Sequence, residues 1–375
     1  MSIDRRNFLI QTMSAALVVG AGSTLAACGG LARGDLAKAS VPAPAGQPLD
    51  ERRRRILGYA ALAPSGHNIQ PWVVKPLGPD EWIIGADPER RLPAVDPLNR
   101  EVMLSLGAFS ENLALAAGAL GLTAEMEVLA QSSLDTDVLR VRLSEGTPTD
   151  YPLARLEKRL TVKQGYLNRE LASDDVKALA EPLGGHLHYF PRGTDHARCL
   201  EEGAVEAFRQ QTARDEAQAE LVRWLRLSQA EVKRHRDGLT TAGMEILGIK
   251  GWVVRNFVSP RDFLKPSFRK QSVELTARLA GRGGGWFIIT GKGNNPADLI
   301  DSGRRFEKMA LLARERNIAL HPMTQWLEEN TGREKIAANH SAAMIPQFVL
   351  RVGYLENYPD PVSPRRPVEW FLNKL

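Results

Sequence analysis

The segment Ala63-Pro64-Ser65-Gly66-His67-Asn68-Ile69-Gln70-Pro71-Trp72 gathers residue types suited to a ligand at the end of a helix. Pro64 stops the helix, because it lacks an amide hydrogen and its ring clashes with the preceding turn. Gly66, with no Cβ, lets the backbone approach a flat ligand closely. Ser65 and Asn68 supply short polar groups, and Gln70 follows before the chain turns extended. A hydrogen-bonded turn feeding a strand would use some of the same residues. A second pattern is Glu157-Lys158-Arg159-Leu160-Thr161-Val162-Lys163, where alternation in an extended stretch puts Arg159, Thr161 and Lys163 on one side and Leu160 on the other. A third is Pro364-Arg365-Arg366-Pro367, two planar forks of donors suited to an oxyanion. Either of these two, taken alone, reads equally well as a solvated charge cluster. The fourth, Asn317 to Gln325, ends an apolar run at Pro322 and continues into Thr324 and Gln325.

Taken in register, these segments resemble the FMN-dependent nitroreductase family. The resemblance implies FMN as cofactor, with Pro64, Ser65, Gly66, Asn68 and Gln70 at the ring edge or ribityl hydroxyls. Arg159, Leu160, Thr161 and Lys163 would lie along the phosphate, ribityl chain and pyrimidine edge, and Arg365 and Arg366 would clamp the phosphate. In the family the backbone past the proline matching Pro322 faces flavin N5, often at a Glu-Gly pair. Thr324 and Gln325 depart from that pair, so a role for an acidic side chain there is absent. Family sites form between two subunits. Here the Pro-Ser-x-x-Asn loop occurs only in the first half of the chain and Arg-x-Thr-x-Lys only in the second. One site per chain is therefore expected, as in the fused tandem (Acg-like) subgroup with a lid over a single FMN. The implied activity is reduction of nitro, quinone or related small-molecule acceptors, with the electron donor unknown and no catalytic residue assigned. Binding and sequestering FMN without turnover is the alternative.

The elements that must position these residues read as mixed helix and strand. Helices are expected at Leu49–Ala63, Leu104–Leu120, Arg198–Arg226 and Asp298–Arg316, with strands at Trp72–Lys75, Trp82–Gly85, Ala124–Leu129, Val138–Arg142, Trp286–Thr290, Ile318–Met323 and Phe348–Tyr354. An internal repeat at an offset of 196 aligns Gly107 with Gly303, Leu113 with Met309 and Leu122 with Ile318. The expected fold is α+β and nitroreductase-like, two tandem units forming a pseudo-dimer: residues 48–150, then 151–375 with a lid at about 234–267. That lid mixes four glycines with apolar residues in a loop-like pattern. A fused pair has less need to associate further, so a monomeric pseudo-dimer is expected.

Residues 1–28 read as a removable twin-arginine signal: Arg5-Arg6, then an apolar, small-residue stretch. Leu25-Ala26-Ala27-Cys28 resembles a lipoprotein cleavage box, which would place a lipid on Cys28 and leave 29–47 as a tether; an ordinary signal cut is the alternative. The expected location is periplasmic, reached through the twin-arginine translocase, a route suited to a protein loaded with its cofactor before it crosses. The second cysteine, Cys199, then has no internal disulfide partner. A net charge of +5 is spread among acids with no nucleic-acid-binding motif, so no nucleic-acid partner is expected. His186-x-His188, His196 and Cys199 lack zinc spacing, so no metal is expected. The glycines at 283–285 and 291–293 match neither a P-loop nor a dinucleotide fingerprint.

Overall fold

A computed structural model describes residues 49–329, 332–341 and 343–372. The signal, the tether and Cys28 lie outside the described residues.

The first unit starts with α1 (Glu51–Ala60), capped by the Asp50 carboxylate, which accepts from the Arg53 amide at 2.8 Å. The loop at 64–70 leads to β1 (Trp72–Pro76) and β2 (Glu81–Ala86). Next come α2 (Arg100–Ala119), β3 (Leu122–Val128) and β4 (Asp137–Glu145). The second unit has β5 (Leu187–Pro191), α3 (Asp195–Ala213), α4 (Asp215–Trp224), the short strands β6 (Leu225–Arg226) and β7 (Leu239–Thr240), and α5 (Gly248–Phe257). It closes with α6 (Pro266–Ala280), β8 (Gly285–Thr290), α7 (Pro296–Glu315), β9 (Ile318–Pro322) and β10 (Pro346–Tyr354).

Both units carry a four-stranded antiparallel sheet of one design, β1-β2-β4-β3 in the first and β5-β8-β10-β9 in the second. In the second, β8 and β10 are buried along their whole length. Helices α2 and α7 are equally long and begin 196 positions apart, the offset of the repeat. They cross at the centre of the molecule, and their glycines allow it. A Cβ at Gly107 would strike the Ile300 carbonyl and lie 3.0 Å from the Gly303 Cα, while one at Gly303 would strike the Leu104 carbonyl. Although α2 is long and apolar enough to cross a membrane, it is mostly buried in the core between the sheets.

Three expectations change. The helix expected at 198–226 is two, broken at Arg214 (φ −78°, ψ 123°), whose guanidinium reaches the Ala94 carbonyl and Glu329, both at 2.9 Å. The lid expected as loop-like contains α5 and a 3₁₀ turn at Pro260–Leu264. Strand β5 and helix α6 carry no strong pattern in the sequence and emerge only from packing. The C-terminal tail crosses back to the first unit, where the Val74 amide donates to the Phe371 carbonyl at 2.8 Å and Leu372 bridges to β1.

Candidate functional site

The loop after α1 is built from strained backbone. His67, Asn68 and Gln70 have φ of 48°, 54° and 53°, the left-handed region that non-glycine residues rarely enter. Gly66 lies outside that region, and a Cβ there would make ordinary contact with Leu92 Cδ1 at 3.4 Å. The strain therefore falls on the residues around the glycine. Strain of this kind persists where the surroundings over-determine it, and it clusters at functional sites.

The surroundings do over-determine it. Pro64, partly exposed, precedes Ser65, whose hydroxyl accepts from the Gln70 amide at 2.9 Å. Asn68 donates to the Gly238 and Pro364 carbonyls at 3.2 and 3.3 Å and accepts from Arg365 at 3.0 Å. Gln70, fully buried, donates to the Arg236 carbonyl and accepts from the Arg366 amide. Arg365 also donates to the Leu62 and Ala63 carbonyls at 2.9 and 3.1 Å. Arg366 donates to the Gln70 and Trp72 carbonyls; burial, reinforced by the like charge of Arg90, lowers its pKa to about 9. These donors of the arginine pair are committed to backbone carbonyls, where they strap the loop to the C-terminal tail.

The second unit brings Arg159–Lys163 to this loop. Arg159, 5% exposed, lies 3.5 Å from the fully buried Glu307 of α7 and 3.5 Å from the Thr161 hydroxyl. Burial holds the Glu307 carboxyl above the ordinary range, and Arg159 pulls the other way. Leu160 turns its side chain toward Val162, Tyr166 and Leu355, and its carbonyl accepts from the Tyr358 hydroxyl at 2.9 Å. The Lys163 amide donates to Glu245 of the lid at 2.5 Å, and Arg351 of β10 donates to the Lys163 carbonyl.

At Lys163 the two units meet. His67 feels the charge of Lys163 across the gap; burial first, then that like charge, lowers its pKa to about 4. Burial first, then Arg351 and Lys163, hold His321 of β9 well below the ordinary imidazole range, and its Nδ1 lies 3.2 Å from Arg351 Nη2. Burial lowers Lys163 itself, with Glu245 opposing. Pro322 pairs with Leu350 across the sheet. Thr324 caps a short helix, Gln325–Glu328, with its hydroxyl 3.5 Å from Glu328. The Glu328 carboxyl is raised by burial and by Glu101 and Asp96, and Gln211 holds it at 2.6 Å. The Gln325 side-chain oxygen is buried and has no partner among the described residues. Four basic groups (His67, Lys163, His321, Arg351) and one acid, Glu245, are thus gathered where the units meet. Burial keeps the two imidazoles neutral, so the charge there is that of Lys163 and Arg351 against Glu245, which favours a polar, anionic guest.

No family profile matches the chain. A Mycobacterium tuberculosis protein provisionally named an NAD(P)H nitroreductase, acg, is 24% identical over 342 residues, covering 83% of this chain and 92% of that protein. A second protein of that organism, provisionally named in the same way, is 24% identical over 341 residues, covering 86% and 92%. Among solved structures, a nitroreductase-like family protein from Bacillus cereus aligns with a TM-score of 0.34 and 8% identity, over 60% of this chain and 98% of that one. The FMN-dependent nitroreductase NfnB from Mycobacterium smegmatis, solved with NADPH, gives 0.38 and 14%, over 59% and 96%.

His67, His321, Arg351, Glu245 and Glu307 were not singled out from sequence. The first two lie inside quoted segments, and a charged residue in the apolar run Val349-Leu350-Arg351-Val352 was a usable signal. Glu245 and Glu307 had none. Elsewhere, His186 and His188 both reach the Thr290 hydroxyl, at 3.3 and 3.4 Å, and His196 pairs with His340. No cluster of three potential metal ligands occurs among the described residues. Two surface clefts, of about 220 and 400 Å³, lie along α3 and are lined by none of the expected site residues.

Proposed function

We propose that this chain is an FMN-dependent oxidoreductase of nitroreductase type that reduces nitro, quinone or related acceptors. The observation that carries the proposal is the strained loop of the first unit set beside the basic residues Lys163 and Arg351 of the second. The names of the two mycobacterial relatives, matched over most of both chains, support the same reading. The residues fit a flavin in two respects. Lys163 and Arg351 outnumber Glu245, which suits a ring that becomes anionic on reduction, and the buried Gln325 oxygen, without a partner among the described residues, is an acceptor for a ring N–H. Lys163, His67 and Gln325 would hold the ring, with Arg159 toward the phosphate. Bound FMN would supply the electron transfer. The protein's own contribution is to position the ring, keep His67 neutral and exclude water under the lid.

The test is direct. Purified protein should be yellow and release FMN on denaturation, and Lys163→Ala should weaken FMN retention about tenfold, the worth of one charge-assisted bond. Colourless protein that gains no flavin on reconstitution would refute the reading. A second reading, FMN storage without turnover, is favoured by the absence of an acid at Thr324-Gln325 and by the Glu245 contact that ties the lid to Lys163. Rapid mixing of reduced protein with a quinone separates the two, since storage predicts no acceleration over free reduced FMN. Export by the twin-arginine route to the periplasm, with a lipid on Cys28, is part of the proposal. Replacing Arg5 and Arg6 with Lys should retain the protein in the cytoplasm.

A further inference from the structure

The lid helix α5 has two apolar faces, and only one is used. Gly251, Val253 and Val254 are buried, and Val254 packs against Leu225 and Leu227, with Leu239, Val258 and Phe263 at the margin. On the outside stand Leu247, Ile249, Trp252 and Phe257, 63%, 68%, 45% and 45% exposed. Ile249 and Trp252 are one turn apart, and Trp252 meets Phe257 edge to face at 5.4 Å. The other large exposed apolar residues of the described chain, Leu77, Leu98, Leu134 and Trp370, lie on other elements. Soluble proteins seldom leave a contiguous patch of this kind open unless something covers it.

The charge around the patch says what would cover it. From Glu245 to Glu274 the sequence carries Lys250, Arg255, Arg261, Lys265, Arg269 and Lys270 against three acids, Glu245, Asp262 and Glu274. Asp262 is buried and paired with Lys265 at 2.7 Å, and Arg269 is paired with Asp215 at 2.7 Å, while Arg261, Lys265 and Lys270 are exposed. An apolar, aromatic helix that carries Lys250 and Arg255 and no acid, followed in the chain by the exposed Arg261, Lys265 and Lys270, has the composition of an interfacial helix on an anionic membrane.

We infer that the outer face of α5 docks the lid on an anionic phospholipid bilayer. Trp252, Ile249, Leu247 and Phe257 insert to the level of the headgroups, and the flanking cations meet the lipid phosphates. Glu245, with φ of 59°, lies two residues before Leu247 and bonds the Lys163 amide. Docking therefore acts on the segment that reaches Lys163. The inference stands apart from the redox reading, since it needs neither flavin nor turnover.

The test uses mature protein carrying Cys28→Ser, so that no lipid contributes, and sedimentation with vesicles of phosphatidylcholine alone or mixed with phosphatidylglycerol. Binding is expected to the anionic vesicles only and to weaken as salt is raised. Ile249→Ser with Trp252→Ser should lower partitioning at least about tenfold while circular dichroism stays unchanged. If that pair fails to fold, Lys265→Glu with Lys270→Glu serves instead and should abolish the preference for anionic lipid. Quenching by brominated lipid should be largest for the native protein and fall on Trp252→Phe. Absence of binding to anionic vesicles, or partitioning indifferent to these changes, overturns the proposal. So does a dimer in solution that Trp252→Ser makes monomeric without any vesicle binding, which would assign the face to a second copy of the chain.

Discussion

Replacing Arg159 with Ala should expose how the buried Glu307 is tolerated. The pair is 3.5 Å apart, with Glu307 fully buried and Arg159 nearly so. Removing one partner of a buried ion pair costs about 3–5 kcal/mol if the other stays charged. Glu307 has a cheaper escape, because it can take up a proton. From an ordinary pKa of 4.5, neutralising a carboxyl costs about 3.4 kcal/mol at pH 7 and about 1.4 kcal/mol at pH 5.5. These values cap the loss, and Arg365, which also acts on Glu307, trims it. The expected destabilisation is thus about 2–3 kcal/mol at pH 7, shrinking to roughly 1 kcal/mol at pH 5.5. The sign follows from linkage: a carboxyl raised in the folded state binds more protons there than in the unfolded chain. The penalty is full above the folded pKa and disappears as pH falls toward 4.5. Urea unfolding of flavin-free protein, wild type and variant, at both pH values measures it. Arg159→Ala with Glu307→Gln should regain most of the loss. A cost that does not change with pH, or a double variant no better than the single, would refute the reasoning.

Gly107→Ala or Gly303→Ala should cost at least about 2 kcal/mol and lower the melting temperature, because a methyl at either position collides with the opposing helix backbone; calorimetry showing a gain would contradict the crossing. The His67 ring should titrate near pH 4 by NMR. Since the unfolded ring takes its proton near 6.5, the His67 contribution to stability is constant above that pH and erodes as pH falls toward 4. A midpoint near 6.5 would place His67 in open water. Glu245→Ala should speed hydrogen exchange at Lys163 and through α5, and unchanged protection would show that Glu245 does not hold the lid.

Much of the frame was legible because it rests on local pattern. The offset of 196 anticipated that α2 and α7 are counterparts, while the close approach at Gly107 and Gly303 emerged only from the packing. The loop at 64–70 was legible as a special segment from its crowding of polar and breaker residues. What those residues touch was not legible. Arg365 and Arg366 read as donors for an outside anion, yet they bond the carbonyls of residues 62, 63, 70 and 72. Gly66 drew attention by type, while the unusual backbone angles belong to His67, Asn68 and Gln70. Such facts depend on contacts spanning nearly 300 residues, which no window along the chain contains. The break at Arg214 is of the same sort, since its partners, Ala94 and Glu329, come from distant parts of the chain.

The strap formed by the C-terminal tail also sets an order of events. Gln70 and Arg366 are 296 positions apart, so a ribosome adding about 5–20 residues per second makes the loop some 15–60 s before its partner. Through that interval the strained turn lacks its bonds to Arg365 and Arg366, and β1 lacks the neighbour supplied by Phe371 and Leu372. The loop is thus completed late, although it is among the first parts to be made. A chain that stops a dozen residues short would lose the strap that holds the loop.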